Sequence, residues 1–419
     1  MSPDKTDSCH LTAAVHHAKE GVQALSLATG DAIARLTRTV LSVRPLIDVL
    51  DHPVFVAPVR DGEQFTVEDE IGLEGLLNRI AGHCRAPEFA VLEASSGTDL
   101  TVFERVVSNR LRDCGPYQAA FQRALQSLEI DKIIQAAISH GFEYRFRRTD
   151  VSSFDGALLR TYAAGDPGKP AVIIISACGM PAKLSELWMD FLARDYFVLT
   201  WETRGLFGEL SNVDSLAWDA GAQAKDLSAV MDHYGVKAGH VMGLCGGAVI
   251  SLMAAQNTPD RISSMSLWYG DFELGSNAPK TMYQQNLKDI MLMSGAGRSE
   301  AASTHELFCS AMIKNMRSDL AHLIIYPYAT PELLFRYGKL NGSIMSANVG
   351  PLLRTTPHRT LVVTSQDDST AHPEGSRHVA EQLPNAVLHV EPHGDHLYFY
   401  EAAPRLTELA ARFIAGSEV

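Results

Sequence analysis

The sequence predicts an α/β protein: a mainly parallel sheet with crossover helices, preceded by a separate, mainly helical module. Three observations carry this. From about residue 172 onward, short apolar runs alternate with longer amphipathic ones, which is the rhythm of βαβ units. The strongest short run, residues 171–176 (AVIIIS), is β-branched and free of charge, as a strand buried on both faces must be. Residues 1–140 instead offer helical patterns with no βαβ alternation.

The helical patterns of the first module fall near 12–28, 31–41, 69–82 and 101–113, and its boundary is placed at 140. Just beyond it lies the basic cluster Arg145, Arg147 and Arg148, read as the solvated edge of the sheet or as a docking patch. Strand 171–176 is followed by a helix over 184–194 and a second strand over 196–201. Residues 217–235 space apolar groups at helical period and stop at Gly235, a suitable residue to follow a helix end. A third strand, 240–243, leads into a small-residue helix, 247–257, and a fourth strand follows at 265–269. Strands at 360–364 and 386–390 and a helix at 403–415 complete the domain 141–419. Between them, about 271–357 lacks strands and holds helical patterns near 281–294, 303–325 and 331–340, so it is expected to be an inserted helical cap.

Composition narrows the function classes. A length of 419 residues with 46% hydrophobic residues is enough for a sizeable core. The formal charge of −13 repels polyanions and argues against nucleic acid as a partner. The polar start MSPDKTDSCH does not read as a signal peptide, and no apolar run is long enough to span a bilayer, so a soluble cytoplasmic protein without membrane association is expected. Six cysteines (9, 84, 114, 178, 245 and 309) form no C-x-x-C pair, which argues against a zinc site or a disulfide framework. There is no P-loop and no dinucleotide fingerprint, so no cofactor is expected.

One cysteine stands apart. Gly243-Leu244-Cys245-Gly246-Gly247 lies between a predicted strand and a predicted helix, with small residues on both sides of the central thiol. A side chain on so sharp a turn needs such neighbours, and the helix start behind it favours the thiolate. Cys245 is thus the candidate nucleophile, against the alternative of a packed cysteine in a Gly-rich turn. Gly394-Asp395-His396 precedes the last helix and offers His396 as proton acceptor, with His393 as competitor. Asp367 and Asp368 follow the penultimate strand, either suited to orient the imidazole.

In combination these segments resemble the α/β-hydrolase superfamily over residues 150–419, with cysteine where serine is usual. The resemblance implies the triad Cys245, Asp368 and His396 in that chain order, Asp368 being the residue that aligns with the family's acid. It also implies an oxyanion hole made by the N–H groups of Gly246 and of Met180, the latter because Cys178-Gly179-Met180-Pro181 resembles the family's H-G-x-P loop. Cys178 is then a packing residue, and the turn Glu202-Thr-Arg204-Gly205 a structural one. The Cys turn, the cap and the long N-terminal extension further resemble the aminoacyltransferases that shuttle aminoacyl groups between carrier domains in nonribosomal peptide biosynthesis. That likeness implies acyl transfer through a Cys245 thioester, with acyl or peptidyl carrier proteins as partners and their phosphopantetheine arms as substrates. A thioesterase or another Cys-dependent hydrolase is the enzymatic alternative, and an inactive scaffold the other.

Overall fold

The computed structural model describes residues 7–417 apart from 51, 58–65, 93–99, 116, 118, 209–212 and 314–318; side chains are described from residue 24, except at 119, 277 and 306–313. The chain divides into two compact units: residues 1–144 with 313–325, and residues 145–312 with 326–419. None of the described helices is long and apolar enough to cross a membrane.

The first unit is mainly helical. The two helices expected before residue 41 are one, Asp7–Ile47, which runs through Gly30 without a break. Gly30 lies where the helix Ile130–Ser139 packs close, with Ile133 Cδ1 3.6 Å from where a Cβ would stand, so this glycine marks a helix contact instead of an end. Val67–Cys84 and Val102–Arg112 each begin with a capping box, Thr66 with Asp69 and Thr101 with Glu104. A short parallel pair, β1 (Val54–Val56) and β2 (Phe89–Val91), accompanies them. The helix expected over 303–325 is divided: Arg298–Ile313 belongs to the second unit, save its last residue, whereas Ala321–Ile324 packs in the first, where His322 Nε2 meets Ser42 Oγ at 2.7 Å.

The second unit is built on an eight-stranded sheet in the order β10-β9-β8-β7-β5-β6-β4-β3. Its strands are β3 (Arg147–Ser152), β4 (Leu158–Ala164), β5 (Ala171–Ile175), β6 (Phe197–Trp201), β7 (Gly239–Leu244), β8 (Ile262–Trp268), β9 (Thr360–Ser365) and β10 (Ala386–Glu391). All pairings from β6 to β10 are parallel; β3 and β4 are antiparallel. Every residue of β5, β6, β7 and β9 is buried, as the charge-free runs require. β4 was not among the expected strands, because Arg160 and Thr161 interrupt its apolar residues. Arg147 and Arg148 stand exposed on the edge strand β3, where charge discourages further pairing. Arg145 is ion-paired to Glu186 at 2.9 Å and to Asp190.

The expected stop at Gly235 holds. The helix Ala220–His233 is followed by Gly235 at φ +67, and the Val236 N–H reaches back to Met231 O at 2.8 Å. Two of the cap's long helices, Met282–Ala296 and Pro331–Ser346, cross at paired glycines. A Cβ on Gly338 would stand 2.5 Å from Gly295 N, so only hydrogen lets the backbones approach this closely. Pro331–Ser346 is buried along most of its length and lies over the loops at the C-terminal end of the sheet.

Candidate active site

Cys245 follows β7 directly and has φ +52 and ψ −119, a conformation that a non-glycine residue holds only when its surroundings enforce it. Its N–H donates to Trp268 O at 2.9 Å, continuing the β7–β8 ladder one step past the strand. The need for small neighbours is literal. A Cβ on Gly243 would meet Gly247 O at 2.5 Å, and one on Gly247 would meet Ile175 O at 2.1 Å. The helix Gly246–Asn257 begins at the next residue, so its first N–H groups, which have no intrahelical acceptor, stand beside the thiol.

The second group comes from two loops after β9 and β10. His396 Nδ1 and Asp368 Oδ2 are 2.9 Å apart, and their side chains are 11% and 0% exposed. A carboxylate only accepts, so the proton lies on Nδ1 and Nε2 is left toward the thiol. Asp368 Oδ1 accepts from the Thr370 and Ala371 N–H groups, both at 2.9 Å, which locks the carboxylate in place. Burial opposes charge on the imidazole, but the Cys245 and Asp368 groups outweigh it and hold the His396 pKa well above its ordinary value. Nε2 is buried without a well-aligned hydrogen bond. The two competitors form their own pair: His393 Nδ1 meets Asp367 Oδ2 at 3.0 Å, with side chains 87% and 56% exposed.

The oxyanion expectation meets the structure unevenly. Gly246 is buried and covered by Ile344 of the cap, 3.1 Å from where a Cβ would be. Met180 is also buried in the expected loop, but its N–H donates to Ala177 O at 3.2 Å. That bond closes a turn whose third residue, Gly179, has φ +77 and gives its own N–H to Thr203 Oγ1 at 2.9 Å. The Met180 N–H is therefore already engaged, and an oxyanion would have to share or displace that bond.

Cys178 is buried, and burial pushes its thiol far up. It lines a small cavity of about 20 Å³ of mixed polar and apolar walls, Thr203 and Gln223 among them, with room for about one water. Arg204 is structural: Asp226 takes it at two points, 2.8 and 2.6 Å, and Asp155 at 2.6 Å. Four further residues were not expected from the sequence: Tyr283 and Tyr400 lie within electrostatic reach of Cys245, and Asp271, bonded to Gln284, within that of His396 and Asp368. Asp271 follows β8; Tyr283 and Gln284 open the cap helix Met282–Ala296; Tyr400 follows the histidine loop. Asp271 was findable, since it too follows a strand on the C-terminal side of the sheet. The others carry no local signal. Among the described residues no cluster of His, Cys, Asp and Glu is placed to hold a metal ion.

No protein-family model matches the chain. It is similar to the putative carbamate hydrolase RutD of Caulobacter segnis, 22% identical over 271 residues that cover 64% of this chain and 99% of the relative. The protein of the same name from Pseudomonas syringae pv. syringae is 26% identical over 231 residues, covering 54% and 86%. Among solved structures, the α/β-hydrolase MGS-M2 from a Medee basin deep-sea metagenome superposes with a TM-score of 0.51 at 19% identity, covering 65% of this chain and 98% of the other. The esterase RhEst1 of a Rhodococcus species gives 0.52 at 17% identity, covering 65% and 99%. The second unit has the α/β-hydrolase fold, with an additional helical N-terminal unit.

Proposed function

We propose that this protein is a cysteine-dependent acyl hydrolase whose nucleophile is Cys245, with His396 as acid and base and Asp368 as the group that orients it. The observation that carries the reading is a strained thiol at a strand-to-helix turn facing a buried imidazole already bonded to a carboxylate. The His396 imidazole takes the thiol proton as sulfur attacks the acyl carbon. Collapse of the tetrahedral adduct breaks the bond to the leaving group, which departs with that proton. Water then attacks the thioester carbon, gives its proton to His396, and the Cys245 thiol leaves as the free acid is released. The Gly246 N–H, at the start of its helix, stabilises the oxyanion in both steps. Relatives named as carbamate hydrolases and structural neighbours named as hydrolase and esterase support hydrolysis of an acyl–heteroatom bond.

A second reading is transfer of the acyl group to another thiol, such as the phosphopantetheine arm of a carrier protein. The cysteine favours it: moving an acyl group from sulfur to sulfur conserves the thioester, and the covering of Gly246 by Ile344 restricts water at the acyl carbon. One experiment decides between them. The protein is mixed with an acyl thioester of N-acetylcysteamine, with and without an acceptor thiol or an unloaded carrier protein, and both products are quantified. Acid release with multiple turnovers, indifferent to acceptor and abolished in Cys245→Ala, is expected for the hydrolase. Acyl product that appears only on the acceptor overturns hydrolysis and leaves transfer.

A further inference from the structure

The oxyanion position is one firm donor short. The Gly246 N–H stands at its helix start beside the thiol, whereas the Met180 N–H is turned to Ala177 O at 3.2 Å. Gly179, which precedes Met180, gives its N–H to Thr203 Oγ1 at 2.9 Å. A tetrahedral adduct puts negative charge on the former carbonyl oxygen, and a covered site must supply donors for it from its own walls.

Those walls include one face of the cap helix Pro331–Ser346. Tyr337, Asn341 and Ile344 follow one another at spacings of four and three residues, so they share that face. The Tyr337 ring lies 2.8 Å from where a Cβ on Gly179 would stand, and Ile344 Cγ2 lies 3.1 Å from where a Cβ on Gly246 would stand. The helix thus roofs both segments from which oxyanion donors were expected, and Asn341 sits between its two contacts. Of the three atoms nearest the Gly246 Cβ position, two are Ile344 carbons and the third is Asn341 Oδ1, at 3.9 Å.

Asn341 is buried. Its Nδ2 donates to Tyr337 Oη at 3.2 Å and to Met345 Sδ at 3.6 Å, and its Oδ1 has no hydrogen-bond partner among the described residues. A half-turn about the last side-chain torsion exchanges the amide's oxygen and nitrogen. Tyr337 Oη serves either orientation, since a hydroxyl donates as well as accepts, and the half-turn gives up only a weak N–H to sulfur contact. It presents Nδ2 to the Gly246 side. An oxyanion there repels the amide oxygen and attracts the amide nitrogen, so its formation selects the turned state.

We propose that Asn341 is a further catalytic residue, its side-chain amide being the second oxyanion donor in the place expected of the Met180 N–H. This rests on the acyl-enzyme reading above. As sulfur bonds to the acyl carbon, the carbonyl π pair moves onto oxygen, between the Gly246 N–H and Asn341 Nδ2. On collapse the pair returns to carbon as the bond to the leaving group breaks. Because this donor belongs to the cap, the hole is complete only while Pro331–Ser346 lies over Gly246.

The test separates acylation of Cys245, which passes through an oxyanion, from alkylation, which does not. p-Nitrophenyl acetate and iodoacetamide are each reacted with the wild type and with two variants, and adducts on the Cys245 peptide are followed by mass spectrometry. Asn341→Leu keeps the shape without the donor; Asn341→Gln keeps the donor on a longer arm. Asn341→Leu is expected to slow acetylation by about 10²- to 10³-fold, the effect of removing one oxyanion donor, while alkylation stays within about twofold of wild type. Asn341→Gln is expected to fall between the two. Acetylation and alkylation lost together would show that the side chain acts on the thiol or the fold, and would overturn the proposal. Acetylation of the Leu variant at the wild-type rate also overturns it and leaves the acyl-enzyme reading standing. Wild-type protein that is alkylated at Cys245 but not acetylated there defeats the acyl-enzyme reading, and the Asn341 proposal falls with it.

Discussion

His396 and Asp368 are joined at 2.9 Å in the interior, while His393 and Asp367, three residues and one residue away, are joined at 3.0 Å on the surface. Both pairs span the same two loops, and only the buried one is coupled to Cys245. Adjacent carboxylates on a loop thus face different environments.

This contrast sets the first prediction. Asp368→Asn removes the acceptor that fixes the imidazole tautomer and is expected to lower kcat by about 10³- to 10⁴-fold. Asp367→Asn alters a solvated pair and is expected to stay within about twofold of wild type. Steady-state kinetics on a single thioester substrate checks both, and a larger loss for the Asp367 variant would reverse the assignment.

A second prediction concerns thiol reactivity. Cys84, Cys114 and Cys178 are buried, and burial raises the pKa of each, that of Cys84 to about 11. Cys245 is the one partly exposed cysteine among the described side chains. A short iodoacetamide pulse at neutral pH followed by peptide mapping is expected to label Cys245 well ahead of those three.

Glu273 anchors the cap. Burial opposes its charge, but hydrogen bonds from Lys280, Lys288 and the Gly275 N–H prevail and hold its pKa at about 2, below the usual 4.5. Because the folded value is the lower one, its stabilisation is present above pH 4.5 and is lost as pH falls from there toward 2. Because the site is partly solvated and its lysine pairs are screened, Glu273→Gln is expected to destabilise the protein by on the order of 1 kcal/mol at pH 7 and by little at pH 2 to 3. Urea unfolding across this pH range measures the difference.

Two glycines in helices predict opposite outcomes. Gly338→Ala places a methyl group 2.5 Å from Gly295 N and 2.7 Å from Met291 O, backbone atoms that cannot rotate away, and is expected to cost about 1–3 kcal/mol or to part the cap helices. Gly75 has nothing within 4 Å of its absent Cβ, so Gly75→Ala is expected to stabilise by about 0.5–1 kcal/mol. Denaturant midpoints distinguish them, and an elevated KM in Gly338→Ala would report a displaced cap.

Much of this architecture was legible because its signals are local. The runs at β5, β6, β7 and β9 are apolar because both faces are buried, the glycines around Cys245 are dictated by contacts at 2.1 to 2.5 Å, and Gly235 meets a left-handed backbone position. Signals at the chain's edges were weaker. β4 carries Arg160 within its apolar pattern, and Gly30, which resembles a helix end, is a crossing point of two helices.

The sequence by itself determined the sheet, the strained cysteine and the chain order of thiol, carboxylate and imidazole, since each depends on residues within a few positions of one another or on strand succession. Tertiary structure decided which carboxylate meets which histidine, that the Met180 N–H is turned to Ala177, and that Gln284 of the cap joins Asp271 to the loop carrying Asp368. Those relations join residues tens of positions apart or depend on the direction of a single bond. No local periodicity records either, because they arise only when the cap and the strand ends close over the same buried space.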